Sequence, residues 1–296
     1  NCILNSNTNL SEISSNIRSN DIILCELRKI FAYLQETEHK AYNPREFCKV
    51  YIMDQQPLNT TEQKDMQEFF TDLISKLEET SNQELKSLIK NLFGGKITNL
   101  VMSLDCPHVS SNLEEFYTIR CQVAGMKDLY ESLNEITVKD TLEGDNMYTC
   151  SQCGRKVRAE KRACFRQLPK ILCFNTMRYT FNMITMLKEK VNTHFSFPLQ
   201  LNMSNYMEEN LIPKANLCEK MSKEIDEDRE DHDEEEPYIY DLIGVTVHTG
   251  TAEGGHYYSF IKDRSYLSEI KCGEDDSDFD SNNSNNNNTN DKWYLF

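Results

Sequence analysis

The spacing of apolar residues changes at Gly94-Gly95, and that change limits the chain to few architectures. Before the two glycines, Ile23, Leu27, Ile30, Phe31 and Leu34 fall on one helical stripe, as do Met66, Phe69, Phe70, Leu73, Ile74 and Leu77, and Leu85, Leu88, Ile89 and Leu92. After them the repeat shortens to two. Ile119, Cys121 and Val123 alternate with Arg120 and Gln122, and ITNLVMSL (97–104), KILCFNTMRY (170–179), IYDLIGVTVH (239–248), HYYSFIK (256–262) and KWYLF (292–296) read as strands. The pattern predicts an α+β chain with a helical N-terminal lobe followed by a mostly antiparallel sheet.

Charge is concentrated where nothing can be buried. Residues 219–236 hold eleven acids and three bases, and 274–280 add five acids, so these two stretches carry −13 of the net −16. The remainder is near neutral and offers no basic footprint for nucleic acid. We expect disordered inserts at 219–236 and at 273–291, the latter ending in SNNSNNNNTND, with the sheet closing beneath both. No run approaches the ~18 apolar residues of a membrane span. The opening NCILNSNTNL has neither the basic start nor the apolar stretch of a secretory signal. Eleven cysteines at irregular spacing argue against a secreted disulfide framework and for a reducing compartment, cytoplasmic or nuclear.

Two places could carry chemistry. Cys150-Ser-Gln-Cys153 is half of a zinc site by type, read on a knuckle between strands. The other half would come from Cys106 and, as fourth ligand, His108, with Ser103 standing where a second CxxC cysteine would be; a Cys-x-His spacing is tight for one tetrahedral ion. The alternative is a set of reduced thiols without metal. His256 follows Gly254-Gly255 and a small polar loop, HTGTAEGG. An imidazole near its ordinary pKa of about 6.5 suits removal of a proton from a thiol or hydroxyl, and the glycines would let an extended peptide approach.

These segments together carry a resemblance. Glu62-Gln-Lys-Asp65-Met-Gln-Glu68-Phe-Phe70, Leu92-Phe-Gly-Gly95, Tyr148-Thr-Cys-Ser-Gln-Cys153, Leu168-Pro169, Gly244-Val-Thr-Val-His248, Gly254-Gly-His-Tyr-Tyr-Ser259 and Lys292-Trp-Tyr-Leu-Phe296 resemble boxes of the ubiquitin-specific proteases, papain-like thiol peptidases that remove ubiquitin. The resemblance implies one catalytic domain over 1–296 with a thumb (about 1–95), fingers (96–165) and palm (166–296). It implies His256 as catalytic base, and Gly254 and Gly255 lining a channel for the Gly-Gly end of ubiquitin. Asp65 and Glu68 would lie near the arginine-bearing tail of ubiquitin, where carboxylate–guanidinium hydrogen bonds are the strong kind; read from the residues alone, they belong to a solvated helix face. Partners would be ubiquitin and ubiquitinated proteins, with no cofactor for catalysis.

The family's nucleophile sits in a Gly-x-Thr-Cys-Tyr-x-Asn-Ser box, which Cys2-Ile-Leu-Asn-Ser6 imitates without the apolar helix that follows it. We expect the chain to be a fragment, with its nucleophile upstream of residue 1 rather than at Cys2 and its third triad member beyond Phe296. The rival reading from another class is a ubiquitin-binding scaffold that has lost its chemistry. A third is a zinc-dependent interaction module on Cys150 and Cys153.

Overall fold

The computed structural model describes residues 19–38, 41–212, 238–264 and 292–296. Cys2 and the inserts expected at 219–236 and 273–291 lie outside the described residues. Helices are α1 (Ser19–Glu36), α2 (Arg45–Val50), α3 (Met66–Glu78), α4 (Gln83–Phe93), α5 (Leu129–Thr137) and α6 (Glu208–Leu211). Strands in chain order are β1 (Ile52–Met53), β2 (Gln56–Pro57), β3 (Gly95–Ser103), β4 (Val109–Phe116), β5 (Ile119–Gln122), β6 (Asp140–Leu142), β7 (Tyr148–Thr149), β8 (Lys156–Val157) and β9 (Ala159–Gln167). They continue with β10 (Phe174–Met177), β11 (Tyr179–Asn182), β12 (Leu187–Lys190), β13 (Gln200–Asn202), β14 (Ile239–Asp241), β15 (Gly244–Gly250), β16 (Gly255–Lys262) and β17 (Trp293–Leu295). The class is α+β, with helices leading and antiparallel ladders following. Instead of one sheet, however, the described strands form seven small ones of two to four strands. Most of these strands run only two to four residues, too short to hold a common ladder. Among the described residues no helix is long and apolar enough to cross a membrane.

The chain divides into two compact units, Asn1–Arg120 with Asp140–Asn175, and Cys121–Lys139 with Thr176–Phe296. In the first, α3 starts where the Asp65 carboxylate accepts hydrogen bonds from the Gln67 and Glu68 amides, and α4 starts where Asn82 caps Leu85. The apolar face of α3 serves two clusters: Phe69 and Leu73 pack on Ile23, Phe47, Tyr51 and Met53, while Ile74 and Leu77 join Leu24 and Ile89. Phe31 and Leu34, read as part of the α1 stripe, are exposed, whereas Ile23, Leu24, Leu27 and Ile30 of the same helix join the two clusters. The same unit holds the four-stranded sheet β4-β3-β9-β6, with Thr98, Leu100, Cys164 and Phe165 buried on its central strands. Gly95 opens β3 because the Phe116 ring lies where a Cβ would stand. Gly94 donates the last helical hydrogen bond, to the Lys90 carbonyl, and its extended backbone (φ −80°, ψ 123°) ends α4 and leads the chain into β3.

In the second unit, α5 is a helix among the strands that the two-residue repeat predicts. Asp128 caps it and Leu129 and Leu133 bury its inner face. β15, β16 and β17 form one antiparallel sheet, with Gly244 opposite Ile261 and Gly250 opposite Gly255. Strands on either side of both low-complexity segments are hydrogen-bonded neighbours: β13 pairs with β14, and β16 with β17.

Candidate active site and metal centre

The cysteine pairs of the sequence meet in the first unit. Cys106 and His108 lie in the loop joining β3 to β4, and Cys150 and Cys153 in the turn joining β7 to β8. That turn is tied by Cys150 N–H to the Arg155 carbonyl and by Gly154 N–H to the Cys150 carbonyl. Gly154 takes a φ of 66°, the left-handed conformation that suits glycine. The two loops are held together by Asp105, whose carboxylate accepts from the Arg158 amide at 2.8 Å and from its guanidinium at 2.8 and 3.2 Å, while Arg155 reaches the Asp105 carbonyl. Arg158 accordingly holds the Asp105 carboxyl below the usual range.

All four potential ligand atoms lie within 4.8 Å of one another. Sulfur sits 3.9 Å from sulfur between Cys106 and Cys150, and His108 Nδ1 is 3.4 Å from Cys150 Sγ and 3.2 Å from Cys153 Sγ. Zinc bonds of about 2.3 Å to sulfur and 2.0–2.1 Å to nitrogen at tetrahedral angles require edges of about 3.8 and 3.6 Å. The donor set suits that ion, and the one sulfur–sulfur and two sulfur–nitrogen edges given lie within about 0.4 Å of those values. Ser103 is no ligand. Its hydroxyl accepts from the Asp105 and Cys106 amides and contacts the Cys106 sulfur at 3.1 Å. That hydroxyl, together with a backbone hydrogen bond from His108, brings the Cys106 thiol down to about 6, whereas desolvation raises Cys153. A thiolate at Cys106 is the form that binds metal.

His256 lies in the second unit, on β16, across from Thr249. It is exposed, and the hairpin that carries it turns over Thr251–Gly254, with the Thr251 amide bonded to the Gly254 carbonyl. The adjoining glycines differ. A Cβ on Gly254 would meet nothing within 4 Å, while one on Gly255 would strike the Thr249 carbonyl and stand 2.7 Å from His248 Nε2. His248, to which the sequence reading gave no role, sits across from Tyr257 and packs its ring on Tyr257 and Tyr179. Arg178 lies just beyond β10 and donates to the Val191 and Thr193 carbonyls.

Asp65 and Glu68 lie in the first unit. Glu68 is exposed, and Asp65 caps α3, its carboxylate accepting from the Gln67 and Glu68 amides at 2.9 and 3.0 Å.

The whole chain, residues 1–296, matches the family described as ubiquitin carboxyl-terminal hydrolase. The chain belongs to that family. It is 63% identical over 273 residues, 92% of its own length, to ubiquitin carboxyl-terminal hydrolase 34 of Homo sapiens, and 63% identical over 261 residues to ubiquitin carboxyl-terminal hydrolase puf of Drosophila melanogaster. It spans 7% of the length of each of these relatives. Among solved structures, the SAGA Ubp8/Sgf11/Sus1/Sgf73 DUB module bound to ubiquitin aldehyde superposes with a TM-score of 0.61 at 21% identity, covering 86% of this chain and 56% of that one. At that identity the likeness establishes the fold of this hydrolase family member and nothing finer.

Proposed function

We propose that the chain is the deubiquitinating domain of a thiol isopeptidase, acting on ubiquitin joined to other proteins. The observation that carries this reading is the β15–β16 hairpin, which presents an exposed His256 two residues after Gly254, a glycine with open space around it, in a member of the ubiquitin carboxyl-terminal hydrolase family. In this reading His256 takes the proton of a cysteine thiol, and pairing with the imidazole lowers the thiol's pKa from about 8.5 so that the thiolate is present before substrate binds. The thiolate attacks the carbonyl of ubiquitin's terminal glycine, the amine leaves with the proton from His256, and water then releases ubiquitin from the acyl-enzyme. Asp65 and Glu68 receive the basic tail of ubiquitin, and Gly254 and Gly255 its Gly-Gly end.

The division into thumb to about residue 95, fingers over 96–165 and palm beyond belongs to the same proposal. It is supported by the helix-to-strand change at Gly94-Gly95 and by the four-stranded sheet over the middle segment. So does a structural zinc held by Cys106, His108, Cys150 and Cys153, which would fasten the two loops at the end of that sheet and take no part in catalysis. The eight cysteines among the described residues, none of them in a disulfide, support a reducing, cytoplasmic or nuclear, location.

The test is turnover of ubiquitin bearing a fluorogenic C-terminal amide by the full protein, alongside peptide mapping after reaction with ubiquitin carrying a thiol-reactive C-terminus. His256→Ala should lower turnover by about 10²–10⁴ with ubiquitin still bound. Ubiquitin affinity in the wild type without turnover or adduct would refute the enzyme reading and support the scaffold. An adduct on Cys2 would move the nucleophile into this chain.

A further inference from the structure

Lys190 ends β12, and its ammonium is directed at a single neighbouring hairpin. It donates to the His248 carbonyl at 2.9 Å, to the Gly250 carbonyl at 3.2 Å and to His248 Nδ1 at 2.9 Å. An ammonium has three donors, so these contacts use its full capacity. Among the described residues no carboxylate pairs with it, although lysine at a surface ordinarily finds one or faces water. A half-buried cation held by backbone carbonyls fixes the position of those carbonyls, because moving them would leave the charge without partners.

The contacts also determine the state of His248. A lysine ammonium cannot accept, so Nδ1 must, and the ring proton then sits on Nε2 with the imidazole neutral. The Tyr179 hydroxyl, 2.7 Å from the same Nδ1, shares that lone pair. The opposite ring nitrogen, Nε2, lies beside Gly255, at 2.7 Å from where its Cβ would be. Gly250, whose carbonyl Lys190 holds, is the register partner of Gly255, and His256 follows directly, opposite Thr249. One cation thus grips the turn end of the hairpin on one strand, while a neutral imidazole packs against the other strand one residue before His256.

We infer that Lys190 is a positioning residue for His256, fixing the turn end of the β15–β16 hairpin through the Gly250 carbonyl and through His248 as a neutral strut. The inference rests on the reading of His256 as the general base, and it assigns to Lys190 no contact with substrate. Removing the donors should leave the hairpin formed but its end mobile, so that His256 spends less time where a thiol can use it.

The test compares Lys190→Met, which keeps the stem and removes the donors, with Lys190→Arg, which keeps donors, in the full protein. For Lys190→Met we expect amide hydrogen exchange across 249–256 to quicken by about ten-fold or more while β3 and β9 are unchanged. The kcat for the fluorogenic ubiquitin amide should fall by about ten-fold or more with ubiquitin Kd held within about two-fold. Lys190→Arg should recover most of both. If Lys190→Met does not fold, Lys190→Gln, which retains one amide donor, is read in the same way. Unchanged exchange over 249–256, or a loss of ubiquitin affinity equal to the loss of kcat, would overturn the inference. A wild-type protein without turnover would instead defeat the deubiquitinase reading, and the exchange comparison would then decide the positioning role by itself.

Discussion

Substituting alanine at Gly254 and at Gly255 separates what the hairpin needs in order to form from what a substrate needs in order to enter. At Gly255 the added Cβ would run into the Thr249 carbonyl, a backbone atom of the paired strand, and stand 2.7 Å from His248 Nε2. A methyl group forced into filled space costs about 1–3 kcal/mol, and the obstacle being backbone places Gly255→Ala toward the upper end. At about 2–4 °C for each kcal/mol in a chain of this size class, the fall in Tm should be several degrees. At Gly254 the Cβ meets nothing within 4 Å and the backbone is outside the left-handed region, so stability should stay within about 0.5 kcal/mol of wild type. If Gly254 lines the path of an extended Gly-Gly tail, its methyl obstructs the substrate alone, and turnover of fluorogenic ubiquitin amide should drop by about ten-fold or more at unchanged Tm. Thermal unfolding and steady-state kinetics on the two variants give the four values needed. A Gly254→Ala protein with full turnover would refute the channel, and a Gly255→Ala protein as stable as wild type would refute the packing argument.

The double role of Asp65 can be divided in the same spirit. Asp65→Asn keeps an acceptor for the Gln67 and Glu68 amides and should leave stability unchanged while weakening ubiquitin binding, whereas Asp65→Ala should also lose about 0.5–2 kcal/mol in denaturant unfolding. Zinc supplied at about 100 times its Kd should add about 2.7 kcal/mol of stability and appear as one ion per chain in native mass spectra; both effects should vanish in Cys150→Ala, and indifference of the wild-type Tm to zinc and chelator would refute the site. Burial and the Asp72 hydrogen bond raise Tyr51, burial and Glu78 raise Tyr117, and burial pushes Tyr240 up to about 12. Because these folded-state values lie above the unfolded value of about 10, their contribution is complete below pH ~10 and is lost as pH climbs beyond it, so phenolate absorbance from these rings should appear together with unfolding rather than ahead of it.

Strong periodicity made the three long helices and the larger strands legible, and the glycine pair at 94–95 marked their boundary to within a residue. The helix at 129–137 escaped because it is short and its signal is a cap, Asp128, and two buried leucines four residues apart, too little to outweigh the strand-like runs around it. Of the candidate sites, the Cys150/Cys153 half was visible as a motif. Its other half, Cys106 with His108, could be named from the sequence as well, but only as residue types; the β3–β9 ladder is what places the two loops together, with the Leu104 amide on the Arg158 carbonyl. Glycines 254 and 255 looked equivalent in sequence and differ only in what surrounds them. Nothing in the sequence marks Lys190, since a lysine at a strand end is ordinarily a solvated one, and His248 carried a signal only in hindsight, as the residue facing Tyr257 across a hairpin whose turn lies between two histidines.

The pairing of β13 with β14 and of β16 with β17 has a bearing on how such a chain can be altered. Each pair joins residues far apart in sequence by short, regular ladders, so the distance that the intervening chain must bridge is set by the sheet and not by that chain's own length. Lengthening a bridge whose ends are already pinned costs only about 0.6 kcal/mol per doubling. The chain between β13 and β14, and between β16 and β17, should therefore accept a spliced-in reporter or affinity tag while the hairpin bearing His256 keeps its register.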